Sequence, residues 1–402
     1  MKWNLIQTKV LATLFACLAA GVCGILILMQ YSFARNTQAL ALEAVTGSQK
    51  LFSILEAREI SKMTAVSDAL LMDTQVRDAL AAKDRGRLLE LTAPLYTKLK
   101  SEGITNWMFH TPAPNMAVLL RLHNPAQFGD KLNRYVDKEV VRTDALVSGN
   151  ELARAGFAER IIRPVPDAKG GIAGYVEFGE ELGQFIHAMK TQTGNDYGLL
   201  LSKKFLDRKL WADSSGIWKR RDNWNDNANF VVADKTTASE NILRFSGDLS
   251  AVPAQGLVLD RYKDGDSYFV RGIFPIHDAA GNTAGAMFVV HDITAVYTAM
   301  RQTEKILLLV ILVCLLIGTT LVLLLLNKLV FKRLKHIIRI AGRVVGGDFE
   351  TEIKVSAMDE VGQLEELFEQ FRQVFVSTLE QVTGMEEKSE RESSHITSAA
   401  AD

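Results

Sequence analysis

Cysteine is scarce in this chain of 402 residues. Only Cys17, Cys23 and Cys314 occur, and all three fall inside two long apolar runs. The 273 residues from 31 to 303 (303 − 31 + 1) therefore hold no disulfide. A stretch of that length needs none, because it can bury enough surface to be stable unaided. Net charge is lacking too, at −1 formally, which excludes the basic field that nucleic acid demands. There is no Gly-x-Ser-x-Gly elbow, no Walker-type phosphate loop and no cysteine outside the apolar runs to act as a nucleophile. Neither an enzyme nor a bound cofactor is expected. Asp213 to Asn229 is rich in Asp and Asn, but a calcium loop starting at Asp222 would need Gly and Glu where Asn227 and Ala233 stand. That stretch reads as a surface loop.

What is present is led by the two apolar runs, Val10–Met29 and Ile306–Leu326. At about 1.5 Å per helical residue each spans the roughly 30 Å of a bilayer core. Lys2 and Lys9 precede the first; Lys328, Lys332, Arg333, Lys335, Arg339 and Arg343 crowd behind the second. The positive-inside bias puts both termini in the cytoplasm and the domain between the runs outside. Ala39-Leu40-Ala41 resembles a signal-cleavage site, but the first run is longer than the usual 7–15 residues of a signal core. Retention is the expectation.

No proline interrupts the chain before Pro94. Phe52, Leu55, Ile60, Met63, Val66 and Leu70 recur at helical spacing, which predicts one long helix from about Arg35 to Leu70. A further helix is expected near Arg87–Lys100. The period then changes to two, with strands at Ile104–His110 and Met116–His123 around a turn at Pro112–Asn115. Downstream the sequence repeats. Ile162–Met189 aligns without a gap on Ile273–Met300 at an offset of 111 (273 − 162), with nine identities that include Pro164/Pro275, Asp167/Asp278, Gly170/Gly281 and Gly174/Gly285. Two related sheet modules in series follow from this.

Behind the second run, Leu334, Ile338, Ala341 and Val345 form one heptad stripe, and Val361, Leu364, Phe368, Phe371 and Phe375 form another. Two such helices cannot bury their stripes alone, so a homodimer with a parallel four-helix bundle is expected. Gly347-Asp348-Phe349 and Asp359-Glu360-Val361-Gly362 resemble the two signature turns of the HAMP linker of bacterial receptors. The usual proline near the start of the first HAMP helix is missing from Leu329–Leu334, which implies a stiffer joint with the membrane helix. Arg121-Leu122-His123-Asn124-Pro125, Phe128-Gly129-Asp130 and the segment Arg160–Gly179 resemble the double Cache domain of chemoreceptors and sensor kinases. That resemblance implies an α+β fold, with a long N-terminal helix leading into two PAS-like modules.

The expected organisation is a cytoplasmic N-terminus at 1–9, a membrane helix at 10–30 and a periplasmic sensor at 31–303. Within the sensor the distal module covers about 70–190 and the proximal about 191–300. A second membrane helix at 304–327, HAMP at 328–383 and a disordered tail at 384–402 complete the chain. The tail stands where a chemoreceptor of the methyl-accepting type would carry a coiled-coil hairpin, or a sensor kinase its catalytic domain, so the chain is read as lacking an output domain.

On the strand Ala117–His123 the side chains of Arg121 and His123 share a face. Two such groups suit an anionic small-molecule ligand, since an arginine fork grips a carboxylate bidentately. The resemblance points to the distal module as binding site, with Trp107 and His110 on the neighbouring strand as further lining. A structural reading competes, in which Arg121 pairs with Asp130 or Glu177. His110 and His123 lack a third ligand at a suggestive spacing, so no metal is expected. The leading expectation is a chemotaxis-type receptor that binds a small molecule outside and relays through HAMP to a kinase or receptor partner. The alternatives are the sensor half of a split histidine kinase or cyclase system, and a non-signalling membrane scaffold.

Overall fold

The computed structural model describes residues 3–153, 156–217, 221–239 and 241–399. The chain forms two compact units, Cys23–Arg301 and a second made of Met1–Val22 with Gln302–Asp402. Helix α1 runs unbroken from Trp3 to Met72. From Ala41 one stripe of it is buried: Ala41, Val45, Ser48, Phe52, Leu55, Glu59, Met63, Ser67 and Leu70 recur in steps of three and four. The helices α2 (Thr74–Ala81) and α3 (Arg85–Ser101) follow, capped by Asp73 and Asp84, whose carboxylates accept N–H bonds from Gln75 and Arg87.

The chain continues through β1 (Asn106–His110), β2 (Val118–Arg121), α4 (Tyr135–Thr143), β3 (Val147–Ala153), β4 (Gly156–Pro166) and β5 (Ile172–Glu181). These strands form an antiparallel sheet in the order β2-β1-β5-β4-β3. The first two are shorter than their alternation suggests. Next come α5 (Gly183–Thr193), β6 (Asp196–Ser202), α6 (Arg208–Ile217), β7 (Phe230–Lys235), β8 (Leu257–Asp264), β9 (Ser267–His277) and β10 (Thr283–Asp292). Their sheet has the order β7-β6-β10-β9-β8, the same topology again. The offset of 111 carries β4 onto β9 and β5 onto β10 without loss of a residue (156 + 111 = 267; 172 + 111 = 283). Gly170 and Gly281 take the same left-handed turn, with φ of 83° and 84°.

One face of the first sheet carries Trp107, Phe109, Ile161, Val176 and Phe178 in a core shared with Met63 and Leu70 of α1 and with α2 and α3. The opposite face carries Ile162 and Tyr175 against Val136 and Val140 of α4. The second sheet repeats the plan, with Met287 and Phe274 packed on Val45, Phe52 and Leu55 of α1 and on Phe185 and Ile186 of α5. The fold is thus mixed α/β, with two antiparallel sheets strung on one long N-terminal helix.

After β10 come α7 (Thr294–Leu326), five residues in π-helical conformation (Asn327–Phe331), α8 (Lys332–Val345) and α9 (Glu360–Ala399). The π segment lies at the joint where the proline usual in HAMP is missing. Ile340 and Val344 of α8 pack with Ile353, Phe349 and Phe368. On the heptad stripe expected for dimer contact, Ile338 and Val345 are 48% and 90% exposed. Gly347 holds a φ of 94°. Asp359 accepts the Gly362 N–H at 2.8 Å, and the Arg333 guanidinium forks between Asp359 and Glu365 at 2.7–3.1 Å. The stretch expected to be a disordered tail from 384 continues α9 as far as Ala399. It contains no proline, and Glu386, Glu387, Lys388, Glu390, Arg391 and Glu392 are all good helix formers.

Candidate ligand cup of the distal module

On the α4 side of the first sheet lies a charge cluster, built from residues that alternation brings to one face. Met108 pairs with both Arg121 and Glu177, so these three stand side by side on β2, β1 and β5. Arg160 on β4 and Arg134, the residue before α4, close over them. The Glu177 carboxylate is fully buried and accepts from Arg134 at 2.6 and 2.8 Å, from Arg160 at 2.9 Å and from His110 Nε2 at 2.8 Å. Burial alone would raise its pKa. The charges of Arg134 and Arg160 and the bonds from His110 and Arg134 outweigh that, and hold the carboxyl well below its usual range. Arg134 also forks onto Asp137 at 2.8 and 2.9 Å, and Glu177 raises its pKa against the effect of burial.

Arg121 points its fork at Asp130, at 2.7 and 2.8 Å, and donates to the Gln127 carbonyl at 3.0 Å. The Arg121 side chain is 8% exposed and that of Asp130 43%. Hydrogen bonding from Arg121 lowers the Asp130 pKa. His123 sits near both Arg121 and Arg160. Desolvation and these two cations push its pKa down to about 4, so it is neutral at ordinary pH.

Of the four residues singled out from the sequence, Arg121, His110 and His123 come together here. Trp107 does not. It lies on the other face of β1, fully buried between Tyr96, Phe109 and Phe178, with ring centroids 4.8–6.4 Å away. His110 is three residues further along the strand, and odd spacings in a strand face opposite sides. The sequence reading missed Arg134 and Arg160. The repeat offered a signal for the second, because its offset also pairs Arg160 with Arg271 (160 + 111).

A family model described as the double sensory domain of two-component sensor kinase matches residues 49–297, which contain both sheets. The chain belongs to this double sensory (double Cache) family. No curated protein matches it. Among solved structures, the periplasmic domain of LuxQ from Vibrio cholerae is similar at 13% identity and a TM-score of 0.38, with 61% of this chain and 98% of that one covered. The ligand-binding domain of the Campylobacter jejuni chemoreceptor Tlp3, solved with L-valine, is similar at 11% identity and a TM-score of 0.37, covering 66% and 96%. Likenesses this slight carry nothing about ligand or mechanism.

The sensory domain lies between two stretches, within Phe15–Met72 and Thr294–Val345, that are long and apolar enough to cross a membrane. Its cup is charge-balanced in part from within: Glu177 is enclosed by three cationic or hydrogen-bonding side chains, whereas Arg121 is held by a single carboxylate at the surface.

Proposed function

We propose that the chain is a membrane receptor that binds a small anionic molecule in the distal cup and passes a conformational change to a HAMP-type unit in the cytoplasm. The observation that carries this reading is the position of the sensory domain, bracketed by two candidate spans and joined to both by unbroken helices, α1 and α7. The basic residues behind the second span favour cytoplasmic termini. Gly347, Asp348, Asp359, Glu360 and Gly362 support the HAMP assignment through their turn geometry. A Cβ on Gly362 would sit 1.7 Å from the Ala357 carbonyl, so the second signature turn needs glycine. The exposed stripe of Ile338 and Val345, with Leu364, Phe371 and Phe375 on α9, favours a homodimer through this unit.

In the cup, Arg121 is the group that meets the ligand, with His123 and His110 beside it. Asp130 is half in water, so a ligand carboxylate can replace it on the Arg121 fork at little desolvation cost. Such a ligand drives the relay only in so far as it binds one state more tightly than the other.

Topology is testable because no natural cysteine lies outside the apolar runs. Lys169→Cys should react with a membrane-impermeant maleimide on intact cells, and Glu350→Cys only after permeabilisation. Equal labelling of both would remove the transmembrane reading. Ligand binding is tested by melting the full chain in detergent against a panel of small carboxylates. A chain that responds to none of them does not use the cup as proposed.

A further inference from the structure

Four carboxyls meet where α1 crosses the first sheet. Glu56 and Glu59 lie about one turn apart on the helix, and Glu159 and Glu180 are direct partners across β4 and β5. Glu56 faces Glu159, and Glu59 faces Glu180. The two pairs differ in one respect. Lys62 joins the second, in ion pairs with Glu59 and, at 3.1 Å, with Glu180, and the exposed Arg58 also bonds to Glu59. Among the described residues no cation bonds to the first pair. Arg160 sends its guanidinium to Glu177 on the opposite face of the sheet at 2.9 Å, and Arg163, further along β4, is taken by Asp68. From β3 the Asn150 amide donates to Glu56 alone. Glu159 is fully buried, and neither of its oxygens receives a bond from an N–H or a hydroxyl. Two facing carboxyls in that position hold together only through a proton that one of them donates to the other.

The pair sits at a joint between the modules. The Asn150 carbonyl accepts the Ala279 N–H at 2.8 Å, from the turn between β9 and β10. On the neighbouring Gly149 a Cβ would stand 2.8 Å from the Ala279 Cβ, so the turn is seated closely on β3. Asp278, the acid of that turn, is occupied within it by the N–H groups of Ala280 and Asn282. Asn150 thus touches α1 with its side chain and the second module with its backbone. Burial, and then the charge of Glu56, push the Glu159 carboxyl up to about 9. Burial and Glu59 raise Glu180 only to about 7, because Lys62 opposes them.

Resting on the receptor reading, we propose that the Glu56–Glu159 pair is a proton-binding site through which external alkalinity acts as a second input to the chain. With the proton bound, one carboxyl donates to the other and α1 stays docked on β3 and β4. When the proton leaves to water, two anions face each other and only Glu56, which is half-buried, can turn out to solvent. It takes its bond with Asn150 along, and α1 loosens beside the contact with the second module. The same helix runs unbroken into the first candidate span. The docked form binds the proton more tightly than the loosened one, so docking is favoured at low pH and lost as pH rises. The docking equilibrium falls by at most about tenfold per pH unit over this range.

The test has two parts. Infrared difference spectroscopy on the full chain in detergent follows the carbonyl band of protonated carboxyls from pH 7 to pH 9 and above. A band that titrates away in this range is expected, and it should be missing from Glu159→Gln. Glu56→Gln, which offers Glu159 an amide donor, should shift it to lower pH and serves if the first variant does not fold. The second part uses inside-out membrane vesicles, whose lumen holds the sensory domain. The lumen is buffered at pH 7 or pH 9 with the outer medium constant, and a protease is added outside. Cleavage within residues 346–359 should change with lumenal pH in the native chain, by at most about tenfold per pH unit, and not in Glu159→Gln. A carboxyl band that does not move, or that moves alike in the native chain and both variants, overturns the proton site. A native cleavage rate blind to lumenal pH, or an equal response in Glu159→Gln, overturns the input. If Lys169→Cys and Glu350→Cys label alike, the receptor reading is what fails, and the infrared titration is indifferent to that result.

Discussion

Glu159 on β4 faces Glu56 on α1, acid against acid, at the seam between the long helix and the first sheet. Glu159 is fully buried and neither of its oxygens meets a cationic or amide donor; the Asn150 amide goes to Glu56 instead. The two carboxyls can hydrogen-bond only if one keeps its proton. Burial and the neighbouring Glu56 push the Glu159 pKa up to about 9.

A raised acid pKa means that the folded chain holds a proton that the unfolded chain releases, so stability falls as pH rises between the two values. Glu159 reaches furthest above pH 7, with the raised Glu180 near 7 contributing at the lower edge of the window. The melting temperature of the sensory domain should therefore drop from pH 7 to pH 9, with a slope of at most about 1.4 kcal/mol per pH unit. Glu159→Gln supplies a permanent donor to Glu56 and should flatten the curve. A curve as steep in the variant would locate the titrating group elsewhere.

Glu177→Ala should be far more damaging. It leaves Arg160 and Arg134 buried without their shared anion, and breaking such a site from one side costs about 3–5 kcal/mol. Urea denaturation followed by tryptophan fluorescence, to which the buried Trp107 and Trp211 contribute, checks this.

Arg121→Ala is expected to separate binding from folding. Its partner Asp130 is close to half exposed and is returned to water, so loss of the ion pair itself should cost only about 1 kcal/mol, and the domain should stay folded. Any stabilisation of the full chain by small carboxylates bound in the distal cup should disappear. Thermal melts with and without the panel check both halves of the statement.

Gly362→Ala places a methyl group against the Ala357 carbonyl and must open the turn that starts α9. The connection between α8 and α9, residues 346–359, should become sensitive to limited proteolysis, while the sensory domain's melting temperature stays unchanged.

Much of this was legible in the sequence for physical reasons. A buried helix seam and a duplicated pair of strands both leave periodic traces, and the offset of 111 survives because β4 and β5 keep the lengths of β9 and β10. The cup was read less well. Trp107 and His110 were grouped by proximity in the chain, although three residues along a strand reverse the face. Arg134 was out of reach, because it meets Glu177 across 43 residues through an irregular loop that no period describes. The pairing of Arg121 with Asp130 was one of two candidates, and folding of the segment 122–130 back over β2 decides between them.

The same offset maps the start of α5 onto the start of α7 (183 + 111 = 294). In the first copy Gly194, at φ 73°, ends the helix after Thr193 and delivers the chain into β6. In the second copy the matching position is Lys305, and the helix runs on through the apolar run to Leu326. One ancestral exit has thus acquired two destinations. The first module is wired in series to the second through α5, and in parallel with it through the shared seam of α1. Two physical links thus join the sheets, the covalent one through α5 and the packed one along α1, and the helix that leaves the second sheet is the one that carries the apolar run.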